Sequence, residues 1–321
     1  MVDASGPQRV VVIGSGLIGK SWAIMFARAG FTCDLYDVNA DLVDPAVHAV
    51  RAALESVDAP SRIRPAKGKC TLCDLARVVR GAVHIQECVP EDLALKQAVF
   101  TSIGLALHQH ADDVPPELVV ASSTSNLPMS AISSAMLATY QPACVVCHPI
   151  NPPTAIPLVE IVPGGETAPS TVERARARMS AIGQRPVVLR NECDGFILNR
   201  LQYALLAEAI RLVQSGVASP EDVDVAVTHG LARRWSFIGP FQTIDMNAPG
   251  GVADYFARYG ASIRGIIAQQ DNAVAWAPET LQAIDDAMRR VNGPVDRLPE
   301  RCKWRDLRLA LLDKHLSSSP Q

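Results

Sequence analysis

His148 and Glu160 stand twelve residues apart, the first in Cys144-Val145-Val146-Cys147-His148-Pro149-Ile150-Asn151-Pro152-Pro153 and the second in Leu158-Val159-Glu160-Ile161-Val162. Together these side-chain types could move a proton. His148 follows an apolar run that reads as a buried strand, and its other neighbours are prolines and an asparagine rather than core residues. Glu160 interrupts the next apolar strand, where a carboxylate is unusual unless it has a partner. Paired with one ring nitrogen of His148, it would hold the tautomer and favour the imidazolium formed on proton uptake, as in a general-base dyad. A structural histidine and an edge glutamate is the other reading of the same two residues.

The chemistry such a base would serve is indicated at the other end of the chain. Val10-Val11-Val12-Ile13 reads as a buried parallel strand, Gly14-Ser15-Gly16-Leu17-Ile18-Gly19 as a glycine turn, and Lys20 to Ala29 as a helix stopped by Gly30. A second strand, Thr32 to Tyr36, ends in Asp37. Gly14 permits the tight turn, Gly16 lets the backbone approach a pyrophosphate, and Gly19 lets helix and strand pack closely. The helix N-terminus then meets the phosphates with its N–H groups. Asp37 can accept hydrogen bonds from a ribose and repels a 2′-phosphate, and no arginine follows it in Val38-Asn39-Ala40-Asp41. The expected cofactor is NAD rather than NADP. A hydroxyl-bearing carbon that gives up hydride, with His148 taking the hydroxyl proton, completes the chemistry.

The elements that must hold these groups read as follows. A helix is expected from Asp44 to about Val57, an exposed loop from Ala59-Pro60 to Gly68-Lys69, and a short helix over Leu72 to Val79. His84 to Cys88 is a strand, and Pro90-Glu91-Asp92 opens a helix with proline and acids in its first turn. Leu118 to Ala121 is a further strand, and the polar cluster Ser122-Ser123-Thr124-Ser125-Asn126 follows at its carboxyl end, where open α/β sheets bind ligands. Strands near Ala143 to Cys147 and Leu158 to Val162 come next, and Pro186 to Leu189 closes the sheet. After Asp194-Gly195 the pattern is helical. Leu198, Leu201, Leu205, Ala209 and Leu212 form one stripe, and Tyr203, Leu206, Ile210 and Val213 another, so this helix belongs at the centre of a helical domain or in a subunit interface. Ser219-Pro220 starts another helix, ended by Gly230, and the tail from Ser317 to Gln321 reads as disordered. The fold class is therefore α/β: a Rossmann-type doubly wound N-terminal domain (1–192) with an all-α C-terminal domain (193–321).

Composition sets the remaining bounds. The net charge of −3 and the lack of a long basic run give no footprint for nucleic acid or a membrane surface. No apolar run approaches a membrane span, and Met1 to Gln8 resembles neither a signal nor a transit peptide, so a cytoplasmic location is expected. Two cysteine pairs, Cys70/Cys73 and Cys144/Cys147, have C-x-x-C spacing. On a strand, however, positions i and i+3 face opposite ways and cannot share a zinc, so reduced thiols and no metal are expected.

Several motifs carry a resemblance. The glycine turn at Gly14 to Gly19, Val89-Pro90-Glu91, Ser122 to Leu127, His148 to Pro152, Leu158-Val159-Glu160 and Asp194-Gly195-Phe196-Ile197-Leu198-Asn199-Arg200 resemble the ordered motifs of the 3-hydroxyacyl-CoA dehydrogenase family. The closest likeness is to its lambda-crystallin or L-gulonate 3-dehydrogenase branch, through His84 to Asp92, Asn199 to Ala204 and Phe237-Ile238-Gly239-Pro240. This resemblance implies His148 as general base, Glu160 as its orienting partner, and Ser125 and Asn199 as hydrogen-bond partners of the reacting oxygen. Glu91 and Lys96 match positions near the nicotinamide and its ribose. A capping serine and a helix-start asparagine are the plainer readings of Ser125 and Asn199.

The implied substrate is a small hydroxy acid, with L-gulonate first. Its carboxylate needs a cation, for which Arg234 beside Trp235 is the candidate, although a solvated helix-end arginine fits equally. L-carnitine dehydrogenases resemble the branch as well, and Trp235, Phe237 and Tyr203 could cage a trimethylammonium group. Pro149-Ile150 stands where acyl-CoA members usually have two aromatics. The stretch from about Glu55 to Arg80 is shorter and richer in proline than its counterpart in the branch. The branch also implies a homodimer through the helical domain, and its likeness to a lens protein leaves an NAD-binding structural protein or sensor as the non-enzymatic alternative.

Overall fold

The computed structural model describes residues 8–55, 63–65, 72–270 and 277–318. The chain divides into two compact units, Met1–Arg200 with Arg308–Gln321, and Leu201–Leu307.

The first unit is built on one sheet: β1 (Arg9–Ile13), β2 (Thr32–Tyr36), β3 (Ile63–Pro65), β4 (His84–Glu87), β5 (Val119–Ser122), β6 (Cys144–Pro149), β7 (Leu158–Pro163) and β8 (Arg185–Val188). Their spatial order is β3-β2-β1-β4-β5-β6-β7-β8. Neighbours run parallel except β6 and β7, which are antiparallel. Alternation along the strands feeds two cores. Val10 and Val12 pack on one face with α1 (Leu17–Arg28), α2 (Val43–Glu55) and α6 (Pro169–Ala181). Val11 and Ile13 pack on the other with α3 (Leu72–Val79), α4 (Leu93–His108) and α5 (Met129–Ser133). Strands covered on both faces explain the near-continuous apolar runs of β1, β5 and β6. Cys147 lies in the first core and Cys144 in the second, so that C-x-x-C pair does point to opposite sides. Burial pushes both thiols up to about 12. Cys70 falls outside the described residues.

Several boundaries differ from the sequence reading, each for a local reason. Helix α1 begins at Leu17, not Lys20, because Gly16 is its N-cap and the last half of the glycine turn is already helical. The expected loop at 59–69 contains strand β3, which pairs in parallel with β2. Its Arg64 bonds Asp34 bidentately at 2.8 and 2.9 Å, and Arg9 bonds the same carboxylate. This charge pairing between distant segments takes the place of the apolar pattern that would have marked a strand. Helix α4 starts only at Leu93, with the Asp92 side chain accepting from the Leu95 N–H at 2.8 Å. Pro90 and Glu91 therefore precede the helix instead of forming its first turn. His148 lies within β6 rather than after it.

The second unit is helical: most of α7 (Leu198–Gln214), then α8 (Pro220–Ala226), α9 (Ala232–Trp235), α10 (Pro240–Met246), α11 (Gly251–Gln269), α12 (Pro278–Asn292) and the start of α13 (Leu298–Ser318). Ser219 caps α8 by accepting from the Asp222 N–H at 3.1 Å, as its sequence implies. Gly230 does not end that helix. It sits in a π-helical turn, Val227–Leu231, that runs on into α9, and it is absent from the residues with positive φ, the conformation by which a glycine closes a helix. Of the two apolar stripes on α7, Ile210 is buried, whereas Leu201 and Tyr203 are 61% and 55% exposed. The tail residues 319–321 lie outside the described residues, and Ser317 and Ser318 are still helical. Among the described residues no helix is long and apolar enough to cross a membrane.

Candidate active site

At the carboxyl end of β1 the three glycines do different work. Gly14 has φ +103°, and a Cβ there would come within 2.7 Å of the Cys88 carbonyl oxygen. A Cβ on Gly19 would be 1.8 Å from the Gly14 carbonyl oxygen, so only glycine lets α1 start this close to the strand. Gly16 has nothing within 4 Å of its Cβ position, leaving the outer side of the turn open for an approaching group. Helix α1 has no side-chain cap and no acid in its first turn. The N–H groups of Leu17, Ile18 and Gly19 lack intrahelical acceptors by position, and this end of the helix dipole favours an anion. The turn thus fits the pyrophosphate of NAD.

Asp37, just beyond β2, accepts from the Ser15 N–H at 2.8 Å and the Ser15 hydroxyl at 2.7 Å through Oδ2, and from the Asn39 N–H at 3.0 Å through Oδ1. The carboxylate is therefore already aimed at the turn. Ser15 escaped the sequence reading, although a hydroxyl between two of the three glycines was a usable signal.

A buried ionic group lies beneath the ends of β4 and β5. Lys96, 1% exposed, donates from Nζ to Glu87 Oε1 at 2.9 Å and to the Val89 carbonyl at 3.1 Å, and lies 3.5 Å from Glu91 Oε2. Glu87 also accepts from the Ser122 hydroxyl at 2.6 Å and the Val89 N–H at 2.6 Å. Each charge is paired, which is what makes such burial tolerable. Lys96 thus meets Glu87 and Glu91 below the surface instead of offering a donor at it. Glu91 accepts from the Thr124 hydroxyl, the Ser125 N–H at 3.0 Å and the Asn126 N–H at 3.2 Å, and so shapes the loop that presents Ser125. Glu87 was missed. Its signal was that of Glu160, a carboxylate in an apolar strand.

His148 and Glu160 form one rung of the antiparallel β6–β7 ladder. Nδ1 of His148 is 2.9 Å from Glu160 Oε2, and the two residues are 5% and 1% exposed. The other carboxylate oxygen accepts from the Ile197 and Leu198 N–H groups at 2.8 and 3.0 Å, at the start of α7. Burial pushes the Glu160 carboxyl up, but hydrogen bonds from His148, Leu198 and Ile197 outweigh it and hold the group below its ordinary value. An ionised carboxylate only accepts, so the Nδ1–H donates to it and Nε2 is the basic nitrogen. The turn into α7 passes through Gly195 at φ +72° and Phe196 at φ +51°, a strained value for an aromatic residue. Phe196 is buried with its ring 5.5 Å from that of His148. Asn199, one position past Leu198, donates from Nδ2 to the Ser125 carbonyl at 3.0 Å.

Ser125, His148, Glu160 and Asn199 are thus linked through two short hydrogen-bonded connections within the first unit, beside the loop held by Glu91 and Lys96. Arg234 and Trp235 belong to the second unit, at the end of α9, and both are exposed.

Known proteins resemble the chain over most of its length. The family model for the 3-hydroxyacyl-CoA dehydrogenase NAD binding domain matches residues 9–193, and that for the 3-hydroxyacyl-CoA dehydrogenase C-terminal domain matches residues 195–276. Lambda-crystallin of Oryctolagus cuniculus is 39% identical over 95% of this chain and 95% of its own length. L-carnitine dehydrogenase of Streptomyces coelicolor is 34% identical over 82% of this chain and 81% of its own. Among solved structures, a 5-formyl-3-hydroxy-2-methylpyridine 4-carboxylic acid 5-dehydrogenase, described as an NAD+ dependent dismutase, has a TM-score of 0.79 at 26% identity, covering 98% of this chain and 100% of that one.

Proposed function

The chain belongs to the 3-hydroxyacyl-CoA dehydrogenase family, as an NAD-dependent oxidoreductase acting on CH–OH groups, and from that premise we propose that it oxidises the 3-hydroxyl of a small hydroxy acid, L-gulonate first. The observation that carries the reading is the His148–Glu160 rung, with the Asn199–Ser125 link beside it.

His148 Nε2 accepts the hydroxyl proton, and ionised Glu160 stabilises the resulting imidazolium. The Ser125 hydroxyl and the second N–H of the Asn199 amide donate to the substrate oxygen and hold the C–H bond in line. Bound NAD supplies the hydride acceptor. In the reverse direction His148 returns the proton to the nascent alkoxide.

NADH formation with L-gulonate, L-carnitine, L-3-hydroxybutyrate and 3-hydroxybutyryl-CoA in parallel, for wild type and His148→Ala, tests this. L-gulonate turnover that disappears in the variant is expected. Tight NADH binding without turnover of any of the four would replace the enzyme reading with a structural or sensor protein. Arg234→Ala is expected to raise KM for L-gulonate with kcat little changed, and an unchanged KM would remove Arg234 from the proposal. L-carnitine is the second reading, favoured by the 34% identical L-carnitine dehydrogenase and by exposed Trp235 and Phe237. We also propose a homodimer through the second unit, where Leu201, Phe241 and Met246 are 61%, 79% and 63% exposed.

A further inference from the structure

Ser123 has no place in the chemistry above, yet its hydroxyl is the meeting point of three elements. Its Oγ accepts from Trp22 Nε1 at 3.1 Å and from Gln86 Nε2 at 2.8 Å, and lies 3.2 Å from Cys88 Sγ. A hydroxyl oxygen has two lone pairs and one proton. The indole and the amide fill both lone pairs, so the Ser123 proton is directed to the Cys88 sulfur, whose own proton is directed to the Gln86 carbonyl at 3.9 Å.

The same reasoning runs back into the core. Since the Gln86 nitrogen faces Ser123, its Oε1 accepts from His84 Nε2 at 2.9 Å, leaving His84 Nδ1 to accept from Arg178 Nη1 at 3.3 Å. Burial and the Arg178 charge push the His84 pKa down to about 3, so the ring stays neutral and the chain keeps one sense throughout the working pH range. Arg178, His84, Gln86, Ser123 and Cys88 form a directed series in which each donor has a matching acceptor.

What this series joins matters for the reaction. Trp22 is fully buried in α1, the helix that starts at the dinucleotide turn. Cys88 donates its N–H to Ile13 at 2.7 Å, and its carbonyl is the atom that a Cβ on Gly14 would strike. Ser123 also donates its N–H to the Glu87 carbonyl at 2.9 Å and stands two residues before Ser125. One hydroxyl therefore contacts both flanks of the cofactor turn and the start of the loop that presents Ser125.

We propose that Ser123 is a positioning residue that sets the distance between the dinucleotide turn and the Ser125 loop, and so between hydride donor and acceptor. The inference rests on the dehydrogenase reading given above. Misplacement of reacting groups by a fraction of an ångström slows transfer while leaving the acid–base groups intact.

The test measures NADH affinity by nicotinamide fluorescence, together with kcat and its primary deuterium isotope effect on L-gulonate deuterated at C3. Ser123→Ala is expected to weaken NADH binding about fivefold, lower kcat by roughly tenfold or more and raise the isotope effect, with the pH profile unchanged; Ser123→Thr, which keeps the hydroxyl, should recover most of both. Wild-type NADH affinity and isotope effect in Ser123→Ala, with only a lower melting temperature, would reduce Ser123 to packing and overturn the proposal. If Ser123→Ala does not fold, Trp22→Phe removes one donor and keeps a ring: weaker NADH binding with a raised isotope effect supports the hub, and wild-type values overturn it. If wild type binds NADH but oxidises no L-gulonate, that substrate reading fails separately, and the hub stands or falls on NADH affinity in Ser123→Ala.

Discussion

The two units solve opposite problems. In the first, charged and polar groups such as Glu87, Lys96, Glu160 and His84 are buried, and each has partners inside the unit. In the second, α7, α10 and α11 leave large apolar side chains such as Leu201, Phe241 and Phe256 in solvent. Paired buried charges can hold reacting groups in fixed places, whereas a large uncovered apolar surface marks a face for association. Substitutions at the buried charges of the first should therefore act on chemistry and local stability, and those at the exposed apolar side chains of the second on assembly.

The largest expected effect is on chemistry alone. His148→Ala should lower turnover by about 10³- to 10⁴-fold while NADH affinity and circular dichroism stay near wild type. A variant that kept its rate would break the contrast at once.

Glu160→Gln should lower turnover by about 10²-fold and also destabilise the fold by roughly 1–3 kcal/mol, because its carboxylate serves both His148 and the start of α7. The sign of its pH dependence follows from the lowered folded-state pKa. Such a carboxylate contributes stability above its unfolded value, and that contribution is lost as pH falls through the folded value. Melting temperatures from pH 6 to 3 should fall more steeply for wild type than for Glu160→Gln below about pH 4. Parallel curves would remove Glu160 as a source of acid sensitivity.

Two glycine variants sharpen the comparison within the first unit. Gly14→Ala meets both a φ of +103° and the Cys88 carbonyl, and should lower the melting temperature by several degrees, on the order of 1–3 kcal/mol. Gly16→Ala has open space around it and should melt like wild type, yet bind NADH about tenfold more weakly. Equal melting losses in the two would mean that the open side of the turn is not reserved for a ligand.

The smallest expected effect on turnover belongs to the second unit. Phe241→Glu should shift the sedimentation equilibrium from dimer to monomer with less than about a twofold change in kcat, since an exposed apolar side chain adds little to the fold of its own chain. A dimer that persists would move the interface elsewhere.

Much of the first unit could be read from sequence because its signals are local. The βαβ fingerprint, the acid after β2 and the lone carboxylate in β7 each occupy a short window whose periodicity matches the element that formed. What escaped depends on pairings between distant residues: Arg64 bonds Asp34 across the β2–β3 pair, and Trp22 meets Ser123 across the fold. The pairing of Glu160 with His148 could be read from sequence, but not the antiparallel direction of β7 that brings it about. Position-specific spacing cannot encode a partner 101 residues away, and a polar residue in an apolar run announces only that some partner exists. In the second unit the double stripe of α7 was plain, but Leu201 and Leu205 of one stripe and Tyr203 and Leu206 of the other are all exposed, because what covers an apolar stripe depends on packing that spacing does not contain.

Because His148 and Glu160 face each other as a rung of the sheet, the proton acceptor is held by the backbone pairing of β6 and β7 as well as by its side-chain partner. The base therefore inherits the stiffness of the ladder: a side chain on a loop could swing away from a reacting oxygen, whereas this one can leave its place only if two strands part.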